Sequence, residues 1–486
     1  MLFNSYLFLF VFLPITFALF HGLRNRSWSA ALAAVALLSL AFYASWDPWY
    51  LALLVPSLVV NYGLGELIAR TRRRVWLVVG VAANLAVIGW FKYSLFLYVT
   101  ATRSAEAPDF LRDIALPLGI SFITFQKIAY LVDVWRGHQK AASFGRFAFF
   151  VLFFPQLIAG PIVLFRNFDR QVGRGARPNT AYRAAVYVGI MLFAIGLFKK
   201  VVLADSLGYF ADELFSFAAR PDFEISPGDA WLSALTYSLQ LYLDFSAYSD
   251  MAIGLGWMFG FRLPTNFNSP YKATSIIDFW RRWHMTLSAF FREYVYIPLG
   301  GNRRGVGSQA VFVMVVFLLT GLWHGAGWTF IAWGTIHGVL VLFNHLWSKF
   351  VPIRWPRLLA WPATLIAVIS LWVVFRAPTW PVALKILEAM AWHAPSTNNR
   401  AFAFDVLLYT PAWGLVAILG TAALLMPNSR QLARRLRRDQ LFRRPDRKRT
   451  LGRPQLWVSA AVTGFLLYIA IASIGSTQTK FIYFNF

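Results

Sequence analysis

Apolar residues along this chain fall into long stretches that are separated by short polar connections. A helix needs about 20 mostly apolar residues to cross a bilayer. Helical spans are predicted near residues 4–20, 28–45, 50–67, 76–99, 114–134, 182–203, 231–258, 310–347 (two spans), 358–376, 407–426 and 456–474. The pattern therefore predicts an all-α polytopic membrane protein with about 11–12 spans.

Two stretches do not fit this pattern. Residues 153–165 include Pro155, Gly160 and Pro161 between two basic flanks, which is typical of a re-entrant segment. Irregular backbone at membrane depth is tolerated only beside protein or a water-filled cavity, so we expect this segment to line one. Residues 266–301 mix charged and aromatic side chains and predict interfacial or re-entrant helices packed on the bundle.

Composition supports this class. The chain is 58% hydrophobic and only 14% charged, which excludes an ordinary soluble protein. Leu2–Phe20 lacks the basic start and cleavage site of a secretory signal, so we interpret it as a retained first span. The chain has no cysteine, which excludes disulfides and thiolate chemistry. We expect a single membrane domain over 1–486, with core motifs in 1–350, additional spans in 351–475 and a tail at 476–486.

Positive charge is concentrated between the spans. Eleven Arg and Lys against two Asp lie between Ser429 and Arg453, out of a net charge of +25. A basic loop beside a span is explained more simply by the positive-inside rule than by phosphate recognition, so we predict no nucleic-acid partner. The basic connections should be cytoplasmic and the acidic segment Asp205–Ala230 outside. An even number of spans then places both termini outside the cytoplasm.

One stretch combines apolar character with histidine. Val311–Ser348 has no charged side chain, yet it contains His324, His337 and His345. An imidazole at membrane depth costs free energy unless it faces the protein interior or a cavity, which makes His324 the first candidate for function. The alternative is a histidine that only hydrogen-bonds a neighbouring helix.

Several ordered motifs resemble a known family. They are Asp278–Ser288 (DFWRRWHMTLS), Tyr296–Arg303 (YIPLGGNR), Gly321–Gly325 (GLWHG), Leu116–Gln126, Phe154–Pro161 and Tyr242–Gly254. Together they look like the membrane-bound O-acyltransferases, closest to the branch of the alginate O-acetylation membrane protein and the teichoic acid D-alanyl transferase. The resemblance covers residues 116–325.

The resemblance implies a helical bundle around a funnel or tunnel with a histidine at its narrow part. His324 then takes the place of the active-site histidine, and His284 takes a second polar position, unless His284 only caps or packs at the interface. An imidazole with a pKa near neutrality can remove the proton of an attacking hydroxyl. We expect Trp323, Trp283, Asn268, Tyr271 and Gln126 to line the tunnel. Arg281 and Arg282 should anchor at headgroups or attract an anionic donor.

The remaining polar groups of interest are two aspartates within the Tyr242–Gly254 motif. Asp244 and Asp250 are interpreted as structural partners of nearby basic groups. The histidines are scattered and no carboxylate cluster lies beside His324, so no metal site is predicted.

The chain ends in Phe481–Phe486 (FIYFNF), a tail that either anchors at the interface or dips into the outer mouth of the core. It is similar to a terminal motif of the polysaccharide-acylating branch, in which the tyrosine is proposed to accept the acyl group. The resemblance therefore implies that Tyr483 is an acyl carrier.

The resemblance also implies donor, acceptor and partners. The donor would be acetyl-CoA or an acyl carrier protein thioester, with no bound cofactor. An extracytoplasmic SGNH hydrolase-like acetyltransferase would pass the acetyl group to an exported polysaccharide such as alginate, from a protein in the bacterial plasma (inner) membrane. Alternatives are acylation of peptidoglycan, cellulose, teichoic acid or lipid, and, from another class, a polysaccharide transporter.

Overall fold

The computed structural model describes residues 1–104, 106–175, 179–353, 355–391, 406–434 and 453–475. These residues form helices and no β-strand, so the predicted all-α class is confirmed. They divide into two compact units. The first comprises Met1–Leu197, Tyr248–Thr265 and Leu432–Ile474, and the second contains Phe198–Ala247 and Asn266–Gln431. The expectation of one membrane domain over 1–486 stays a prediction.

The α-helices of the described residues are, in chain order, α1 (Leu13–Leu23), α2 (Trp28–Ala44), α3 (Tyr50–Thr71), α4 (Arg74–Ile88), α5 (Ser94–Thr102), α6 (Asp109–Arg112), α7 (Ile120–Trp135), α8 (Phe144–Leu152), α9 (Phe154–Leu157), α10 (Phe165–Val172), α11 (Asn179–Phe198), α12 (Asp205–Ala218), α13 (Pro227–Met258), α14 (Ile276–Trp280), α15 (Met285–Phe291), α16 (Ile297–Leu299), α17 (Gly305–His324), α18 (Trp328–Phe350), α19 (Arg357–Arg376), α20 (Trp380–Met390), α21 (Val406–Leu425) and α22 (Arg453–Ala472). Single π-helical turns occur at Phe8–Phe12, Gly89–Tyr93, Lys199–Ala204 and Arg292–Tyr296, and a 3₁₀ turn at Pro270–Lys272.

Helices long and apolar enough to cross a membrane confirm an integral membrane protein. In the described part of the chain six such helices are Tyr50–Thr71, Arg74–Thr102, Tyr182–Ala218, Gly305–His324, Trp328–Phe350 and Arg357–Arg376. Shorter apolar helices occupy Phe8–Leu23, Trp28–Ala44, Thr410–Leu425 and Trp457–Ala472. The two other predicted spans form α7 and α13, whose buried Lys127, Asp133 and Asp244 make them less apolar. That α7 and α13 cross the bilayer stays a prediction.

The first unit has a core of phenylalanine rings around the irregular stretch 153–165. The short helix α9 is followed by non-helical backbone, and every residue from Phe153 to Val163 is buried. Phe154 packs edge-on against Phe12 and Phe259, with ring centroids 5.2 and 5.4 Å apart. The irregular backbone agrees with the prediction, while the re-entrant course of this segment and its lining of a cavity stay predictions.

One helix is longer than the span predicted within it. The helix that contains the predicted span 182–203 continues through the π-turn Lys199–Ala204 into α12 and ends at Ala218. Burial of the Asp205 carboxylate allows this, because Lys200 Nζ lies 2.7 Å from Asp205 Oδ1 and 3.0 Å from Asp244 Oδ1. Asp244 is thus the partner of a basic group, as predicted. For Asp250, which is also buried, that role stays a prediction.

Helices α17 and α18 form a tight antiparallel pair in the second unit. A Cβ on Gly321 would lie 2.4 Å from the Phe330 carbonyl oxygen, and one on Gly334 equally close to that of Phe317. Only glycine permits this approach of two backbones. Residues 325–327 form the connection, with Gly325 and Gly327 extended. His324 is consequently the last residue of α17, immediately before the turn.

Residues 266–301 are a series of short helical pieces, α14 to α16, with a 3₁₀ turn before them and a π-turn among them. Their irregular course agrees with the expectation that this stretch is no simple span. Ser269 and His284 both adopt left-handed backbone, with φ of 49° and 40°. Such conformations are strained for a residue other than glycine and are frequent at functional sites. The interfacial position of the stretch stays a prediction.

Candidate active site

His324 lies in an aromatic cage in the second unit. Its side chain is buried, with 2% of the residue exposed. The imidazole contacts the rings of Trp323, Trp333 and Phe375 at centroid distances of 4.7, 5.0 and 5.2 Å, each close to edge-on. These rings come from α17, α18 and α19. An imidazole in such surroundings is shielded from bulk water, which strengthens any electrostatic interaction that it makes.

His284 is held in a defined orientation by Asn266. The Oδ1 atom of Asn266 accepts hydrogen bonds from the Thr286 backbone N–H at 3.2 Å and from the Thr286 hydroxyl at 2.9 Å. Because the backbone N–H can only donate, this atom is the amide oxygen. His284 Nδ1 lies 3.1 Å from the same oxygen and must therefore carry a proton. In the neutral ring, Nε2 then bears the lone pair.

The surroundings of His284 favour the neutral ring. Burial lowers the pKa of His284 from 6.5 to about 3. Three uncharged side chains contact it: Asn266 binds Nδ1, and the rings of Phe245 and Trp323 lie 4.8 and 5.6 Å away. His284 therefore accepts a proton only transiently at physiological pH, as a base in a reaction would.

Trp323 joins the two histidines. Its indole contacts His324 on one side and His284 on the other. The structure thus brings together three residues that the sequence analysis placed at the site. Two of them, His284 and His324, are 40 positions apart in the chain. The catalytic roles of His324 and His284 stay predictions.

A third histidine, His337, contacts Trp333 of the cage. It is fully buried, and its ring centroid is 4.7 Å from that of Trp333. The Trp280 indole N–H donates to His337 Nδ1 at 3.3 Å. An indole nitrogen is only a donor, so Nδ1 is the acceptor and the proton of the neutral ring is on Nε2. His337 and His284 therefore have opposite tautomers.

A groove of about 630 Å³ is lined in part by Trp280, whose ring contacts Trp333 of the cage. Its wall includes Val313, Phe317 and Thr320 of α17. These positions and His324 follow a spacing of four, three and four, so they share one face of the helix. The polar lining of the groove includes Arg281, Arg292, Asn302, Gln309 and His345. A charged molecule with a slender apolar part fits such a lining.

Of the predicted lining residues, Trp283 belongs to the surroundings of the cage. It is buried, and its ring lies 4.8 Å from that of Trp372, which stacks on Trp333 at 5.7 Å. Asn268 has a structural role, since its Oδ1 accepts from the Asn428 amide and its backbone binds Arg282. Tyr271 is buried, and its hydroxyl donates to the Ser238 carbonyl. A tunnel-lining role of these residues stays a prediction.

The neighbouring residues Arg281 and Arg282 differ in their surroundings. Arg281 lines the groove described above, whereas Arg282 lines a different groove of about 980 Å³. Arg282 Nε also lies 2.9 Å from Asp278 Oδ1, so its charge is partly neutralised. Arg281 is therefore the stronger candidate to attract an anionic donor, and that role stays a prediction for both.

Two predicted residues are not placed beside the histidines. Gln126 is buried in the first unit, and within the described chain neither atom of its amide has a hydrogen-bond partner. Tyr483 lies outside the described residues. Both roles stay predictions.

Sequence reasoning missed the residues that shape the cage. Asn266 precedes the recognised Asp278–Ser288 motif, and no pattern connects it with His284. Trp333 lies within the uncharged stretch that drew attention to His324, and its position one turn from His337 was a usable signal. Phe375 and Trp372 lie on α19, beyond the recognised motifs, so only the structure identifies them.

Comparison with known proteins identifies the family. The family model MBOAT, membrane-bound O-acyltransferase family, matches residues 137–380, half of the chain. A peptidoglycan O-acetyltransferase of Helicobacter pylori is 36% identical over 100% of this chain and 98% of its own length. A probable alginate O-acetylase AlgI of Pseudomonas aeruginosa is 42% identical over 82% of this chain and 77% of its own length. A teichoic acid D-alanyltransferase of Bacillus subtilis is 28% identical over 64% of this chain and 85% of its own length.

The matched region contains α8 to α19 and with them His284, Trp323, His324 and the rings of the cage. The acyltransferase interpretation of the sequence is therefore confirmed, and the transporter alternative has no support. The chain is an enzyme that belongs to the membrane-bound O-acyltransferase family.

Proposed function

We propose that this enzyme transfers an acetyl group from a cytoplasmic thioester to a hydroxyl of an extracytoplasmic glycan, in the plasma membrane of a bacterium. The observation that carries the proposal is His324, a buried imidazole at the end of a membrane-crossing helix inside a cage of aromatic rings. The relatives named as alginate O-acetylase and peptidoglycan O-acetyltransferase support an acetyl group and a glycan acceptor.

The chemistry asked of His324 is general base catalysis. The acceptor oxygen attacks the carbonyl carbon of the thioester while the imidazole takes the hydroxyl proton. The tetrahedral intermediate then expels the thiolate, which receives that proton from the imidazolium. The C–O bond forms, the C–S bond breaks and the imidazole is regenerated. His284 would bind the acceptor hydroxyl or support the imidazolium through its Nε2 lone pair.

Separation of donor and acceptor explains why the site is buried. Acetyl-CoA or an acyl carrier protein is cytoplasmic and charged, whereas a finished glycan is outside, and neither crosses the hydrocarbon core cheaply. The groove beside α17, with Arg281 and Arg292 in its lining, would receive the pantetheine arm and its phosphates. Tyr483 would accept the acetyl group, and an exported SGNH hydrolase-like partner would move it to the glycan.

Two acceptors have specific support. Alginate or a similar exopolysaccharide is favoured by the relative that is 42% identical. Peptidoglycan is favoured by the relative that matches over the full length of this chain. Cells that express the chain with its exported partner would be analysed for ester-bound acetate on both polymers. The polymer that carries the acetate is the acceptor.

The test of the transfer itself uses purified protein in nanodiscs with radiolabelled acetyl-CoA. We expect His324→Ala to lower the rate of acetyl transfer by roughly 100-fold or more, because a positioned base is lost. His138→Ala, at an exposed histidine of the first unit, is the matched control and should retain the rate. Tyr483→Phe should abolish label on the protein. Full activity of His324→Ala would refute the proposed mechanism, and label on the Tyr483→Phe protein would refute the relay alone.

A further inference from the structure

Several buried hydrogen-bond donors near His324 have no hydrogen-bond partner among the described residues. Within the described residues, Trp333 Nε1, Trp283 Nε1 and His337 Nε2 are all buried and have no hydrogen-bond partner. An indole nitrogen can only donate, and the Trp280 bond leaves His337 Nε2 as the protonated nitrogen. All three unsatisfied atoms are therefore N–H donors.

Unsatisfied buried donors need an explanation. The large majority of buried polar atoms in folded proteins have a partner, and each exception costs free energy. The three donors named above lie in one cluster: Trp333 contacts His337 at 4.7 Å and Trp372 at 5.7 Å, and Trp372 contacts Trp283 at 4.8 Å. A ligand that supplies acceptor oxygens and no donors would satisfy them. A thioester or ester carbonyl is such a ligand.

Of these three donors, Trp333 is the one whose ring contacts His324. Its residue is fully buried, and its ring lies edge-on to His324 at 5.0 Å with an interplanar angle of 86°. The backbone around it is rigid, because Gly334 packs directly on α17. His337, four residues later on the same face of α18, packs against the indole from behind. Trp333 is thus fixed between two imidazoles.

We propose that the indole N–H of Trp333 binds the carbonyl oxygen of the acetyl group and stabilises the oxyanion of the tetrahedral intermediate. This inference rests on the proposed acetyl transfer. The acceptor oxygen attacks the carbonyl carbon, His324 takes its proton, and the negative charge that develops on the carbonyl oxygen is stabilised by the Trp333 N–H. When the intermediate collapses, the C–S bond breaks, the thiolate takes the proton from His324 and the oxyanion becomes the ester carbonyl. His337 acts as a positioning residue that holds the indole.

The test separates the N–H group from the shape of the ring. Trp333→Phe removes the donor and keeps an aromatic ring, and Trp333→β-(3-benzothienyl)alanine keeps the size of the indole with sulfur in place of N–H. In both variants we expect kcat to fall about 100-fold, as on removal of an oxyanion donor, while KM for acetyl-CoA changes little. Trp347→Phe is the matched control on the same helix, because Trp347 lies near the C-terminal end of α18 and its indole donates to the Ile353 carbonyl after the helix. It should retain kcat.

Each outcome decides the inference. An unchanged kcat in the benzothienyl variant overturns the inference, because the N–H group is then not needed. This holds even if Trp333→Phe is inactive, since the indole would then only fill space. The inference is also overturned if the fall in kcat comes with an equally large change in KM and with a lower thermal midpoint. If the wild-type protein transfers acetyl groups and the Trp333 variants are fully active, only the oxyanion role of Trp333 is refuted. Wild-type protein that transfers no acetyl group refutes the proposed function.

Discussion

At the scale of single residues, the site depends on two buried histidines with aromatic and amide neighbours. His324 is enclosed by rings, and His284 has its Nδ1 proton fixed by the Asn266 oxygen. Neither contact supplies a negative charge that would hold an imidazolium. A proton taken from a hydroxyl is therefore released readily to the leaving thiolate, which is what turnover requires.

Protonation of His284 should destabilise the fold in acid. Its pKa is lowered from 6.5 to about 3 by burial, so below pH 6.5 the unfolded chain binds a proton that the folded chain rejects. The stability contribution is complete above pH 6.5 and is lost as the pH falls from 6.5 toward 3, at most roughly 1.4 kcal/mol per pH unit. The thermal midpoint in detergent should fall over this range.

His284→Asn is the variant that tests this effect. Asn does not titrate, and it tolerates the left-handed backbone of position 284. We expect the decline of the thermal midpoint below pH 6.5 to be less steep in this variant. His21→Asn, at a histidine of the first unit, is the control. Equal pH profiles of His284→Asn and wild type would contradict the assignment of the acid sensitivity to His284.

At the scale of helices, the close packing of α17 and α18 places His324 against Trp333. A Cβ at Gly334 would lie 2.4 Å from the Phe317 carbonyl oxygen, which belongs to backbone and has no room to move. Gly334→Val should therefore separate the two helices, remove the contact between His324 and Trp333, and destabilise the protein by about 1–3 kcal/mol. Transfer of acetyl groups and the thermal midpoint both measure the effect.

Gly307→Val is the matched control for this prediction. Gly307 lies in the first turns of α17, and nothing lies within 4 Å of a Cβ built on it. The variant should retain activity and lose little stability, about 0.5 kcal/mol or less. If Gly307→Val is as damaging as Gly334→Val, β-branching in α17 and α18 and not the close approach of the helices explains the loss.

The helices were largely predictable from the sequence, whereas the cage was not. Long apolar runs predict α17, α18 and α19 because a span must be apolar whatever it packs against. The apolar run did not reveal that this helix continues to Ala218, because the Asp205 carboxylate is neutralised by Lys200, a contact that no local pattern reveals. Motifs pointed to His324 and His284. Asn266 and Phe375 escaped notice because their contacts with these histidines are made across the fold.

At the scale of the whole molecule, the mechanism requires a defined orientation in the membrane. The donor side must be cytoplasmic and the acetyl group must leave outside. The distribution of arginine and lysine predicts that the connections at Arg136–Lys140 and Lys349–Arg357 are cytoplasmic and that the segment following α12 is outside. Both termini would then be outside, which suits an acceptor at Tyr483.

Single cysteines can test this orientation cleanly, because the chain has none of its own. Ala219→Cys and Lys140→Cys replace exposed residues after α12 and after α7, respectively. In intact spheroplasts, a membrane-impermeant maleimide should label Ala219→Cys and leave Lys140→Cys unlabelled until the membrane is permeabilised. The labelling follows from the sidedness of the charges, since basic connections stay on the cytoplasmic side. The reverse labelling pattern would contradict the predicted orientation.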